Sequence, residues 1–489
     1  MLIQHSALYL LGRIIPGAVS LLTLALFTRL MTADQYGHYA LVIASAGLIN
    51  AVCFQWLNLS LGRFFPAQES HSEELLSTTL SWFLALVMIT GVLAGAVASL
   101  WLWPDPILCL LTALTVLIGW AQAWFDLNLR LVNTQFSPIH YGLICSSKAL
   151  LAISAGAALF YLGLGVAGVL LGLAFGLLAS SLLAWKNWKG ISFGHHNVAL
   201  LRKLMEYGAP LTVTFMLTIV VGTSDRYFLG WFMDATAVGS YAAAYDLPQQ
   251  SLGMLMSIVH LAAFPLVVNA IEKKKIEEAQ AQLREAALLL LAISLPATVG
   301  LVMLADNVAL VTLGLEFREA GGQIIPWVAL ATFIGAFKAF YLDYSFQLGR
   351  QMRMHAWIMT ITALANIVLN LLLIPRYGLL GAAFGTLGAF VIGFVSSWRL
   401  GRKVFPLPYP KDSHKVIIAS IGMAVVLWPT IAWRGSGELC IQIVLGITAY
   451  AFFIVALYFR TSIQLIGNYS RNLRPDQYPR IDPSCKISG

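Results

Sequence analysis

Eight ionisable side chains stand in or at the edge of long apolar runs of this sequence: Arg13, Asp126, Lys148, Asp225, Arg226, Asp246, Lys338 and Asp343. A charge in hydrocarbon costs roughly 2.5–3.5 kcal/mol on insertion scales. Each must therefore face a wet interior, meet a partner or reach the rim of a membrane. None has the spacing of a catalytic triad, a metal site or a phosphate loop. The five cysteines (Cys53, Cys109, Cys145, Cys440 and Cys485) show neither metal-ligand spacing nor a disulfide framework. What is left is the chemistry of holding and releasing charge. An ammonium gives phosphate a point-charge hold, and a guanidinium gives it a bidentate one. No enzyme is expected.

Lys148 sits in a run that begins near 139, which at 1.5 Å per residue places it roughly 13 Å deep in a core about 30 Å thick. Two readings stand for it: a cavity cation for an anionic head, or a buried ion pair with an acid on a neighbouring helix. Lys338 and Arg13 lie closer to run ends, where they either reach lipid headgroups or join Lys148 in a basic floor open to the cytoplasm. Asp246 stands two residues before Pro248 in YDLPQQ. Proline frees a helical carbonyl, so Asp246 is a candidate site for a coupling ion, H+ or Na+; the other reading pairs it with a basic neighbour. Asp225 and Arg226, in TSDRYFLG, are adjacent and point about 100° apart on a helix. They are expected to touch different helices at the extracytoplasmic rim and to close an outer gate. Asp126 and Arg130, four apart, are expected to pair on one helix face. Trp120 and Trp124, also four apart, offer ring faces for sugar stacking or for lipid. Asn50 with Asn58 and Asn366 with Asn370 are expected to hydrogen-bond between helices.

The elements that must position these residues follow from composition. Of 489 residues, 59% are hydrophobic and 11% charged, with mean hydropathy +0.79. Soluble domains carry about 25% charged residues, so this is an all-α integral membrane protein. About fourteen apolar stretches are long enough to span: near 7–30, 38–60, 77–101, 106–126, 139–162, 164–185, 208–231, 237–262, 286–306, 323–345, 356–375, 379–398, 415–434 and 438–460. The first has no charged start or small-residue cleavage site and reads as a retained helix.

Net charge is +8, but its distribution argues for orientation and against nucleic acid. With the N-terminus placed in the cytoplasm, most of the 30 Lys and Arg residues fall in the even connections and the tail. That is the positive-inside asymmetry, and it puts both termini in the cytoplasm. The stretch EKKKIEEAQAQLREA (272–286) then reads as a solvated cytoplasmic helix. The odd connections are too short to carry a catalytic domain. Internal repeats complete the plan. MTADQYGHYA (31–40) lines up with MDATAVGSYA (233–242), GVAGVLLG (165–172) with GLLGAAFG (378–385), and the region of Asp126 with that of Asp343. The copies share orientation, so the repeat is parallel, about a pseudo-twofold axis along the membrane normal. The reading is two six-helix lobes, 1–185 and 208–400, joined by a cytoplasmic linker, 186–207. Two more helices (401–460) and a cytoplasmic tail (461–489) follow. The glycine rows are read as positions of close helix packing.

Three stretches then carry a resemblance: RLMTADQYGHYAL, DRYFLGWFMDATAVGSYAAAYDLPQ and ANIVLNLLLIPRYGLLGAAFGTL. They resemble the polysaccharide-transport (Wzx-type) flippases of the multidrug/oligosaccharidyl-lipid/polysaccharide (MOP) exporter superfamily. The resemblance implies a V-shaped two-lobe fold working by alternating access. It implies export of an undecaprenyl-pyrophosphate-linked oligosaccharide repeat unit across a bacterial inner membrane, for surface polysaccharide, exopolysaccharide or O-antigen (lipopolysaccharide) biosynthesis. Basic cavity residues, here Lys148, Lys338 and Arg13, would hold the pyrophosphate and anionic sugars. Coupling to an H+ or Na+ gradient is implied, with no other cofactor, and so are a polysaccharide polymerase and a chain-length regulator as partners. Two alternatives stay open. A cation-coupled multidrug exporter of the same superfamily would need a cavity that favours hydrophobic cations, which Lys148 opposes. A non-transporting scaffold of a polysaccharide assembly complex would tolerate reversal of the cavity charges.

Overall fold

The computed structural model describes residues 2–67, 72–102, 105–135, 137–188 and 197–472, with side chains described for 15–66, 73–100, 105–135, 137–188 and 197–458. Among them every element is helical. The first half runs α1 (Leu2–Leu30), α2 (Ala33–Ile49), α3 (Gln55–Phe64), α4 (Ser72–Val97), α5 (Pro106–Thr134), α6 (Pro138–Leu159) and α7 (Gly165–Ser181). The second half runs α8 (Val198–Phe232), α9 (Ala235–Pro248), α10 (Met254–Glu272), α11 (Ile276–Met303), α12 (Ala305–Thr312), α13 (Arg318–Phe337), α14 (Tyr344–Leu348) and α15 (Met352–Val404). Two helices follow, α16 (Ser413–Leu427) and α17 (Ser436–Asn472). Five-residue π turns splice α2 to α3 (Asn50–Phe54), α9 to α10 (Gln249–Gly253) and α13 to α14 (Lys338–Leu342). Such turns recur at functional sites, and the first two occupy nearly equivalent places in the two repeats. The charged stretch after Glu272 makes a short turn and then the first turns of α11.

Eleven of these helices are long and apolar enough to cross a bilayer, and Ile15–Leu30 is a shorter apolar one. Two of the eleven, Pro138–Trp188 and Met352–Val404, are 51 and 53 residues long, against the roughly 20 that a bilayer requires. Each contains two of the apolar runs and folds back between them at a glycine. Gly165 and Gly378, superposed by the repeat, have matching backbones: φ 54°, ψ −135° and φ 55°, ψ −128°. Side chains with a Cβ rarely adopt that φ, so these two glycines make the reversals. The glycine rows thus have a division of labour the sequence did not suggest: the first member turns, and the later ones allow close packing. A Cβ on Gly172 would strike the backbone of Gly156, and one on Gly381 the carbonyl of Leu373.

The repeat is also visible at helix starts. Thr32 caps α2 through Gln35 in a capping box, and its counterpart Asp234 caps α9 by accepting from Ala237 N at 2.7 Å. Such caps satisfy amides that the first turn leaves open. From these caps α2 and α9 cross each other at Gly37 and Gly239. A Cβ on Gly37 would collide with the Ala235 carbonyl, and one on Gly239 with the Ala33 carbonyl. The contact is reciprocal because the two sites are repeat equivalents. Around it lies a core of Tyr36, Ala40, Tyr241, Ala243, Phe317 and Val328, drawn from both halves.

Candidate functional site

A cavity of ≈ 510 Å³ lies between α1, α2 and α6 on one side and α8 and α9 on the other. Its polar wall is Lys148, Arg226, Asp246, Gln250, Tyr36 and Tyr39. Lys148, on α6, stands over the Phe125 ring with Nζ 4.9 Å from the centroid. Among the described residues no carboxylate comes within 4.0 Å of that amine. The acid nearest in sequence, Asp126, is occupied elsewhere: it accepts from Asn50 Nδ2 and Gln122 Nε2, both at 2.8 Å. The expected Asp126–Arg130 pair does not form, because Arg130 Nε turns to Asn58 Oδ1 at 3.1 Å. Asn50 in the π turn and Asn58 on α3, offered across the helix interface, and Gln122 one turn back on α5 take the groups that would otherwise have paired.

Opposite Lys148, Arg226 and Asp246 form an ion pair at 2.5 Å, with side chains 9% and 23% exposed. Asp246, read as a coupling-ion candidate, therefore already has a cation. The pair leaves Arg226 Nε without a partner, and Gln250 Oε1 in the same wall is also unpartnered. Buried polar atoms are rarely left so, which marks this wall as built to receive something.

Asp225 and Arg226 do contact different groups, and both are buried within the protein, Asp225 at 1% exposed. Its carboxylate accepts from Tyr241 Oη (2.6 Å), Thr386 Oγ1 (2.5 Å) and Asn370 Nδ2 (2.5 Å), with Asn366 Nδ2 at 3.4 Å. It ties α8 to α9 and to both arms of α15. Sequence reasoning missed this cluster. Helical spacing put Asn366 and Asn370 on one face as interhelical donors, but Thr386 reaches the acid from the other arm of α15, beyond the reversal at Gly378.

Closure between the halves comes from elsewhere, at the end that the charge asymmetry assigns to the outside. Arg29 Nη2 donates to Val311 O at 2.6 Å, Gly314 N to Thr28 Oγ1 at 3.1 Å, and Ala33 N to Glu316 Oε2 at 2.7 Å. Tyr36 meets Phe317 edge-on at 5.5 Å. Together with the Gly37–Gly239 crossing, these contacts join the halves without a part for Asp225 or Arg226. A methyl at Gly37 must push α2 away from α9. In a cysteine-free background with Ala149→Cys in the cavity wall, Gly37→Ala is expected to raise labelling by a membrane-impermeant maleimide from outside several-fold. Unchanged labelling would remove the crossing as the outer seal.

The remaining candidates divide. Lys338 is 4% exposed and pairs with Asp343 at 2.8 Å, while Asp343 also accepts from Ser397 Oγ at 2.7 Å and lies 3.2 Å from His355 Nε2. These residues belong to a second cavity, of ≈ 450 Å³, within the second half, so Lys338 does not share a basic floor with Lys148. The side chain of Arg13 lies outside the described residues. Trp120 and Trp124 do not line the cavity. Trp120 Nε1 donates to Thr90 Oγ1 of α4 at 2.8 Å, and Trp124 packs between Phe83 and Trp188. Satisfying the indole N–H against α4 turns these rings away from any sugar path.

Comparison with known proteins agrees with this architecture. A family model described as "Polysaccharide biosynthesis protein" matches residues 2–271. Over 248 residues the chain is 25% identical to a probable flippase AglR of Haloferax volcanii, a match covering 48% of this chain and 50% of that protein. It thus spans half the length of that relative. It is 23% identical over 406 residues to a putative O-antigen transporter of Shigella flexneri, covering 78% of this chain and 93% of the relative. In structure it is similar to the lipid II flippase MurJ, with TM-score 0.72 and 16% identity over 94% of this chain and all of that one. With more than half its length under one family model, and with the fold of a flippase, the chain belongs to the polysaccharide biosynthesis protein family.

Proposed function

We propose that this protein moves an undecaprenyl-pyrophosphate-linked oligosaccharide across the inner membrane by alternating access between its two halves. The observation that carries the reading is the cavity between those halves. Its wall includes the Lys148 ammonium and the Arg226 guanidinium, whose Nε has no partner, donors suited to an anionic head. The relatives' names, flippase and O-antigen transporter, support the same cargo class. The lipid tail stays in the bilayer while the head crosses. In proteoliposomes loaded with an undecaprenyl-pyrophosphate-linked oligosaccharide, the protein is expected to expose the glycan to an impermeant glycosidase on the opposite face. No exposure above protein-free liposomes would end the proposal. A drug exporter would instead accumulate hydrophobic cations, and a scaffold would do neither.

We infer further that the cation of coupling acts at Asp225 in preference to Asp246. Asp246 is neutralised by Arg226, whereas Asp225 has four polar neighbours and no basic one. Beside it Asn370 Oδ1 lacks a partner, although Asn370 is fully buried. Two of those neighbours are carboxamides that face the acid through nitrogen; turned over, they would give a hard cation oxygens, and the Tyr241 and Thr386 hydroxyls can turn lone pairs toward one. A proton on the carboxylate would serve the same end. Asp225→Asn, nearly isosteric, is expected to lose stimulation by an imposed Na+ or H+ gradient while keeping ungated exchange. Full stimulation in that variant would count against the site.

A further inference from the structure

We propose that the ≈ 450 Å³ cavity enclosed by α8, α9, α13, α14 and α15 is a separate subsite for the glycan, accepting a neutral sugar rich in hydroxyl and amide groups. This rests on the reading that the Lys148 cavity holds the pyrophosphate. The volume falls in the range of ligand pockets, roughly 300–1,000 Å³.

Its walls have two characters. One is aromatic: the His260 ring stacks on Phe340 at 5.0 Å, with Tyr245 and Phe390 also bordering the space. Flat rings of this kind pack against the C–H face of a pyranose. The other is polar and electrically balanced. Lys338 and Asp343 are paired at 2.8 Å and both are buried, their side chains 5% and 4% exposed. Their charges cancel, so no net cation is left for a carboxylate or phosphate. What the pair offers is a donor and an acceptor side by side, as vicinal hydroxyls require.

Two buried polar atoms in these walls have no partner, Thr332 Oγ1 and His355 Nδ1. Thr332 is 2% exposed. A helical threonine ordinarily donates to the carbonyl four residues back, as Thr362 does to Ile358 O at 2.8 Å; Thr332 does not. The His355 ring is held by Asp343 through Nε2, which leaves Nδ1 fixed and open. Groups so placed await a hydrogen-bonding occupant.

The space also neighbours the pyrophosphate cavity across a third pocket. Gln249 and Gly253, in the π turn after α9, border this pocket and an adjoining one that reaches Pro16, Ser20 and Gln250. The last three residues also line the Lys148 cavity. One cargo head can therefore lie across both, phosphates by Lys148 and sugar beyond the π turn.

The test uses the purified full chain in nanodiscs and two probes, undecaprenyl pyrophosphate and the same lipid bearing N-acetylglucosamine. Thr332→Val, isosteric, and His355→Gln, which keeps an amide donor for Asp343, are each expected to weaken the sugar-bearing probe roughly 3- to 10-fold, the worth of one neutral hydrogen bond. The bare pyrophosphate should bind them as it binds the wild type. Lys148→Ala should weaken both probes alike. Equal losses on both probes in the Thr332 and His355 variants, or no loss on either, would overturn the subsite. Tighter binding of a glucuronate-bearing probe that His355→Gln abolishes would overturn the choice of a neutral sugar. Failure of Lys148→Ala to affect the bare probe would overturn the underlying reading instead, so the two failures are distinguishable. Melting temperatures of the variants within the wild-type range establish that folding is intact.

Discussion

Lys148→Glu is expected to abolish movement of lipid-linked oligosaccharide between leaflets while the protein still folds and inserts. The asymmetry follows from the ammonium's surroundings. Among the described residues it has a ring beneath it and no ion-pair partner within 4.0 Å, and Asp126, the carboxylate that feels its charge, keeps its own bonds to Asn50 and Gln122 when the lysine is lost. A hydrogen bond to a charged group contributes about 1.5–3 kcal/mol. At 1.4 kcal/mol per factor of ten, Lys148→Ala should slow translocation roughly 10- to 100-fold. Reversal to glutamate adds repulsion from the phosphates and should take transport to background. Lys148→Arg keeps the charge and should retain a measurable fraction. Leaflet distribution in inverted vesicles, read with an impermeant glycosidase, checks all three. Normal transport by a well-folded Glu variant would defeat the role assigned to this residue.

Asp246→Ala should fail differently, through stability. Removing the carboxylate leaves Arg226, 7% exposed, buried without its counter-charge. Breaking a buried pair in this way costs about 3–5 kcal/mol, enough to lower the melting temperature sharply and reduce the folded population. Replacing both members with leucine removes the orphan along with the pair and should restore much of the stability, since apolar substitutes for buried pairs are often neutral or better. The double variant should remain defective in transport because Arg226 faces the cavity. Thermal unfolding of the three proteins in detergent is the measurement. An Asp246→Ala protein that melts with the wild type would mean that water or lipid already satisfies Arg226.

What the residues disclosed in advance depended on whether the deciding interaction was local. Helical runs and the matched glycines are properties of adjacent positions, and a repeat doubles the signal. Gly165 and Gly378 could be paired from sequence; that they turn the chain could not, because a packing glycine and a reversing glycine are the same letter. Partner choice was less legible. Asp225 and Asn370 are 145 residues apart, and an acid ending an apolar run looks like a rim residue until α15 is seen to supply three groups for it and α9 a fourth. Trp120 and Trp124 show the same limit: helical spacing put them on one face but did not say that α4 covers it. For Lys148 the choice between free and paired turned on Asn50 and Gln122 claiming Asp126, which spacing alone does not reveal.

The crossing of α2 over α9 is made by main-chain atoms on both sides, glycine against carbonyl, twice over. Such a junction encodes nothing about what passes beneath it. Side chains that line the cavity are free to diversify without loosening this crossing, and the crossing can be tuned without altering the cavity wall.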